Sequence, residues 1–167
     1  TCALPIWLTG YDGWSFYVHQ AVVISANGAL PLWWGRAMDA QGARRTVYMP
    51  EACIRGYDDT FVQNPDKHPM TDLATILADM SLSGARIGVE LDNYYYSAAA
   101  HHALERSLPE ADFIDATGLV NWQRAVKSPQ EIEYMRRAAG IVEAMHARIL
   151  EVAEPGMRKK DRKSTRL

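Results

Sequence analysis

The sequence predicts an α/β fold: a mixed sheet with flanking helices, continued into one long C-terminal helix. Three observations predict it. Along Trp7–Thr117, short apolar runs suited to strands alternate with runs whose apolar positions repeat at helical spacing. Their order, a hairpin followed by helix–strand–helix–strand, favours an α/β layer with parallel pairings at its centre and the hairpin attached. Last, Ser128–Val152 carries a start signal, an apolar stripe and a stop signal for a single helix.

The elements follow in order. AVVIS (Ala21–Ser25) and LPLWW (Leu30–Trp34) read as a hairpin across Ala26-Asn27-Gly28-Ala29, because Asn-Gly supplies the positive φ of a tight turn. Pro31 makes the second run an edge strand or delays its start. A polar stretch rich in Arg and Gly comes next. Pro69 then opens a helix with Met70, Leu73, Ile76, Leu77 and Met80 on one face, ended by Ser83-Gly84. RIGVEL (Arg86–Leu91) alternates Ile87, Val89 and Leu91 as a strand. A helix over Ala98–Leu108 stops before Pro109, and DFIDA (Asp112–Ala116) is a short last strand. In the final helix Ser128 is the N-cap, Pro129 occupies N1 and Glu131 at N3 completes a capping box. Ile132, Met135, Ala139, Val142, Met145, Ile149 and Val152 form its stripe, and Pro155-Gly156 ends it. At about 25 residues it is roughly 37 Å long. A helix so long and so apolar on one side needs a partner surface, which points to a further domain.

Composition narrows the function classes. With 167 residues, 48% of them hydrophobic, the chain buries one good core plus an appendage. A net charge of -2 provides no basic field for nucleic acid. No apolar run reaches the roughly 18 residues needed to span a bilayer, and no signal peptide is visible. Two cysteines, Cys2 and Cys53, are too few for a disulfide scaffold and suit a reducing, cytoplasmic compartment. Both ends differ from their surroundings: Thr1–Ile6 and Asp161–Leu167 resemble the translation of a common short-read library adapter, so both are set aside from fold reasoning. The expected organisation is an N-terminal domain over 7–119, a linker over 120–127, and the first helix of a second domain over 128–160.

The segment Arg124-Ala125-Val126-Lys127-Ser128-Pro129-Gln130-Glu131-Ile132 resembles the R-x-x-K-S-x-x-E-I crossing between the two domains of creatinase–prolidase (pita-bread) hydrolases. WLTGYDG (Trp7–Gly13) is similar to that family's early Y-L-[ST]-G-[FY] element, and RIGVELDN (Arg86–Asn93) to its R-I-G-[IV]-E strand. In family order these cover nearly all of Trp7–Lys160. The resemblance implies a ribonuclease-H-like mixed sheet in the N-terminal domain and a catalytic domain that begins with the long helix. Within the family, GYDGWSFYVHQAVVI, the Trp33–Thr46 loop, ELDNYYYSAAA and DATGLVNWQRAVKS are most similar to the ectoine hydrolase branch, with creatinase a near relative. That branch hydrolyses non-peptide C–N bonds of small molecules. The family's catalytic residues come from the C-terminal domain, so the resemblance implies no catalytic residue, metal or cofactor in this segment. Metal dependence of the intact enzyme stays open.

The resemblance also implies a homodimer in which one subunit's N-terminal domain reaches the other's active site through Trp14–Gln20. Phe16 falls where creatinase has a substrate-packing Phe, whereas Val18 stands where creatinase has a carboxylate-binding Arg. A substrate that combines a carboxylate with a cyclic amidinium favours an Arg fork for the first and aromatic faces for the second. Arg36, Arg44 and Arg45 are candidates for the carboxylate, Trp14, Phe16 and Tyr17 for the ring, and His19 for a hydrogen bond or proton. Each has a plainer reading. Trp14, Phe16 and Trp33 suit core or interface packing, His19 a structural imidazole, and Arg44-Arg45 a solvated pair. Neighbouring His101 and His102 point about 100° apart on a helix and cannot easily share a metal. Cys53 lacks the context of a nucleophile. Two other functions remain as alternatives: a Xaa-Pro peptidase, and an inactive dimerisation or binding module. Neither nucleic acid nor membrane is an expected partner.

Overall fold

The computed structural model describes residues 3–13, 15 and 18–158. The chain divides into two units, Thr1–Asn121 and Trp122–Leu167.

The first unit begins with helix α1 (Ala3–Thr9), where Thr9 Oγ1 donates back to the Pro5 carbonyl. This helix has no counterpart in the sequence reading. Strands β1 (Ala21–Val23) and β2 (Leu32–Arg36) pair antiparallel with Ala21 opposite Trp34 and Val23 opposite Leu32. The expected hairpin therefore forms, but residues 24–31 connect it as a long loop rather than a tight turn. Gly28 takes a φ of +83° in that loop, and Asn27 Oδ1 accepts from the Ala29 amide. Pro31 lies just before β2, because a strand with a neighbour on both sides cannot spare an N–H.

Past Trp34, β2 continues to Arg36 and leads into helix α2 (Ala40–Thr46) and strand β3 (Ile54–Tyr57). Strands β2 and β3 run parallel, with Trp33 opposite Ile54 and Arg36 opposite Tyr57. Neither α2 nor β3 is evident in the polar, Arg- and Gly-rich stretch. Only the two ends of β3 are buried, so no alternation marks it. A second sheet holds β4 (Arg86–Val89) and β5 (Asp112–Asp115), paired parallel. Between the sheets in sequence lies α3 (Pro69–Asp79), and α4 (Ala98–Ser107) joins β4 to β5. Pro69 sits in the first turn of α3 as expected. The cap is His68, whose Nδ1 accepts from the Met70 amide at 3.2 Å. Ser97 caps α4 through the Ala100 amide.

Two apolar clusters hold this unit together. Leu32, Trp34 and Tyr57 pack against Met70, Leu73 and Leu77 of α3 and Leu104 of α4. On the opposite side of β2, Trp33 and Ile54 pack with Tyr11, Ala40, Ala43 and Met49. Successive residues of a strand face opposite ways, so Trp33 and Trp34 feed different clusters, and both are fully buried. Trp34 also donates its Nε1–H to Asp72 Oδ2 in the first turn of α3, at 2.8 Å.

Helix α5 (Leu119–Ala125) occupies most of the stretch expected as a linker and crosses the boundary between the units. The second unit is dominated by α6 (Pro129–Val152), 24 residues long. Its capping box forms as the sequence predicts: Ser128 Oγ accepts from the Glu131 amide, and Glu131 Oε2 accepts from the Ser128 amide. None of its residues is buried. No helix among the described residues is long and apolar enough to cross a membrane.

Candidate functional site

Parallel β2 and β3 end side by side, and their last residues, Arg36 and Tyr57, lie opposite each other. Crevices outside the carboxyl ends of parallel strands are where α/β sheets place ligand-binding groups. Here they gather a polar cluster. Arg36 grips Asp59 with a two-pronged fork, Nε to Oδ1 at 2.6 Å and Nη2 to Oδ2 at 2.9 Å. That hydrogen bonding holds the Asp59 carboxyl below its usual range. Asp39, whose amide bonds the Arg36 carbonyl, is shifted the other way: burial raises it, with Arg36 opposing and Asp59 assisting.

Tyr57 is buried, with its ring tilted against Trp34 and edge-on to Phe61. Its hydroxyl donates to the His19 carbonyl at 2.9 Å, and burial raises the phenol's pKa, so it stays a donor. His19 is thereby tied to the end of β3. Its ring lies 4.9 Å from that of His68. Burial first, and then His68, lowers its pKa to about 4. His19 is therefore neutral at physiological pH and acts as a hydrogen-bonding group rather than a cation. His68 is lowered as well, by burial and then by Arg106. Because its Nδ1 accepts the cap hydrogen bond, the neutral ring carries its proton on Nε2.

The sequence candidates thus separate. Arg36 and His19 converge on Tyr57. Arg44, in the last turn of α2, is engaged by Glu51 at 2.6 Å. Arg45 on the same helix is exposed and forms no ion pair among the described residues. Trp33 is a core residue, tilted against Tyr11 at 5.1 Å. Val18 is half-buried, and its carbonyl accepts from the Ser15 hydroxyl. Trp14, Phe16 and Tyr17 lie outside the described residues. Tyr57, Asp39, Asp59 and His68 are not among the residues that the sequence singles out. Asp59 meets Arg36 and His68 meets His19 only across long stretches of chain. The one available signal was the acidic pair Asp58-Asp59 downstream of an Arg-bearing loop.

Elsewhere, His101 and His102 both face Glu105, at 3.4 and 3.1 Å, and His101 Nδ1 also meets the Tyr96 hydroxyl. This fits two structural imidazoles. Among the described residues no three His, Cys, Asp or Glu side chains gather to hold a metal ion. Cys53 is a free, half-buried thiol. The cluster at the ends of β2 and β3 can position an anionic or hydrogen-bonding group. It pairs no nucleophile with a base.

Residues 6–126 match the creatinase/prolidase N-terminal domain. An ectoine hydrolase of Halomonas elongata is 60% identical over 154 residues, which are 92% of this chain and 38% of that protein. An uncharacterized hydrolase/peptidase of Sinorhizobium fredii is 44% identical over 155 residues, and a second from the same organism 36% over 156. Each of these spans 93% of this chain and 40% of its own length. Among solved structures, an X-Pro aminopeptidase of Thermotoga maritima superposes with a TM-score of 0.69 over 97% of this chain and 40% of that one, at 18% identity. The chain therefore spans about two-fifths of the length of these relatives.

Proposed function

This chain belongs to the creatinase/prolidase N-terminal domain family, and on that premise we propose that it is the N-terminal domain of an ectoine-hydrolysing enzyme. The supporting observation is the 60% identity to an ectoine hydrolase across 92% of the chain. In the proposed reaction water adds to the cyclic amidine and one ring C–N bond breaks, giving acetylated diaminobutyrate. The described residues bring no nucleophile–base pair to this step. Their part is contact and positioning, with the reacting groups supplied by a domain beyond this segment. The enzyme acts in the cytoplasm as a homodimer, with the N-terminal domain of each subunit reaching the other's site.

Three features of the geometry support a choice among the candidate contacts. A substrate carboxylate at Arg36 has to compete with Asp59 for a fork that is already filled, and Arg44 is held by Glu51. Arg45 offers its guanidinium without that competition. His19, neutral and half-buried, suits a hydrogen bond to the ring and not a charge contact.

The test is an assay of the full-length gene product on ectoine and on a prolyl dipeptide, each with and without chelator, alongside light scattering for the oligomer. Ectoine turnover with little dipeptide cleavage is expected, and Arg45→Ala is expected to raise KM for ectoine more than it lowers kcat. Peptide cleavage without ectoine turnover would reverse the assignment to a Xaa-Pro peptidase.

A further inference from the structure

The first unit contains a cavity of about 570 Å³, and its walls include the free edges of both sheets. Strand β1 ends one sheet, with the order β1-β2-β3, and β4 ends the other. Ala21, Val22, Val23 and Ile24 line the cavity on one side, and every residue from Arg86 to Glu90 lines it on the other. Successive side chains of a strand point to opposite faces, so a cavity lying on a sheet face would touch alternate residues. Contact with consecutive residues means that it meets both strands edge-on.

The two sheets also share one apolar cluster. Ala21 and Val23 of β1 and Ile87, Val89 and Phe113 of β4 and β5 all pack on the same cluster, built on α3 and α4. One helical pair therefore packs against both sheets, and residues of β1 and of β4 line the one cavity. Leu8 of α1 and Leu119 and Val120 of α5 add apolar lining. Gln20, just before β1, also lines it, and its Oε1 is buried without a hydrogen-bond partner among the described residues.

We propose that this cavity is a strand-accepting position, filled by an extended apolar segment of the same polypeptide from outside these 167 residues. That segment would pair with β1 on one side and β4 on the other and join the sheets into one. β4 has four residues, so at roughly 3.3 Å per residue the occupant needs about four to five. A strand in the middle of a covered layer is apolar on both faces, which calls for a run of Val, Ile and Leu rather than an alternating pattern. Free edges present unpaired N–H and C=O groups, so ladder hydrogen bonds hold the strand in register, and Gln20 Oε1 accepts one further N–H. The same polypeptide is the source because most of the length of the curated relatives lies outside the shared segment. A position enclosed between two sheets and a helical layer is also filled as the core forms. The proposal is independent of the substrate assigned above.

Hydrogen exchange tests it on two forms. In the 167-residue chain, the amides of residues 21–24 and 86–90 are expected to exchange much faster than those of β2. In the full-length gene product they are expected to be protected as strongly as β2. Equal, fast exchange in both forms would overturn the proposal. A second measurement titrates the 167-residue chain with a Lys-flanked Val-Ile-Val-Leu-Val peptide. Saturable binding that slows exchange at residues 21–24 and 86–90 together is expected. A proline at the centre of the peptide removes an N–H from the ladder and is expected to weaken binding at least about tenfold. Equal binding of both peptides would show a greasy cavity and no strand position. Binding of the peptide to the full-length product as tightly as to the short chain would overturn the same-polypeptide source.

Discussion

Strands β2 and β4 are built from similar lengths of chain in the same unit, yet they differ in every measure of burial. β2 has a strand on each side, and four of its five residues are buried, two of them tryptophans with no exposed surface. β4 has a neighbour on one side only, and its residues alternate between exposed and half-buried. The difference is one of neighbours more than of composition. A strand paired on both edges and covered on both faces becomes core, whereas one with a free edge keeps half its surface open.

The largest effect expected from this contrast is on stability. Trp34→Ala removes a fully buried indole, its hydrogen bond to Asp72 and its ring contact with Tyr57, which should cost about 3–5 kcal/mol. Ile87→Ala on half-buried β4 should cost about 1–2 kcal/mol. Urea unfolding of both variants of the 167-residue chain measures the gap. Equal losses would mean that β4 is as deeply packed as β2, and the contrast would fail.

A smaller effect is set by pH at the end of the first sheet. His19 has its pKa lowered to about 4 from an ordinary 6.5, and His68 is lowered too. Between those values the unfolded chain binds protons that the folded chain refuses. Stability is therefore complete above about pH 6.5 and falls as the pH drops towards 4. Protonating His68 on Nδ1 would also cost the cap of α3. Denaturation midpoints across pH 4–7 should show this slope, and His19→Gln should flatten it. A slope unchanged in that variant would remove His19 as its origin.

The smallest effect separates the two sheets' ion pairs. Arg36–Asp59 is a two-pronged fork with the Arg side chain 22% exposed, whereas Arg86–Asp112 is a single contact with its Arg 74% exposed. Solvent screens the second pair almost entirely. Double-mutant cycles should find measurable coupling in the first and none in the second, and added salt should weaken only the first.

Much of the fold is legible in the residues. The partners of the hairpin, the delayed start after Pro31, the helix that opens at Pro69 and the capping box at Ser128 all depend on neighbours within a few positions. Strand β3 was not legible, because it is short, carries Arg55 and Gly56, and owes its place to the edge of β2. Neither was the occupied state of Arg36. Its partner Asp59 lies across an intervening helix and strand, and no local pattern joins them.

What these residues determine alone is therefore local: where helices start and stop, where a chain must turn, which faces are apolar, and the resemblance that assigns the family. Capping, φ restriction and periodicity act over three or four residues, so they can be read in one dimension. Tertiary structure alone decided that Trp33 and Trp34 serve opposite cores, that His19 sits uncharged against His68, and that two sheet edges face one cavity. Those outcomes depend on burial and on hydrogen bonds between distant segments, whose energies exist only once the chain has brought them together.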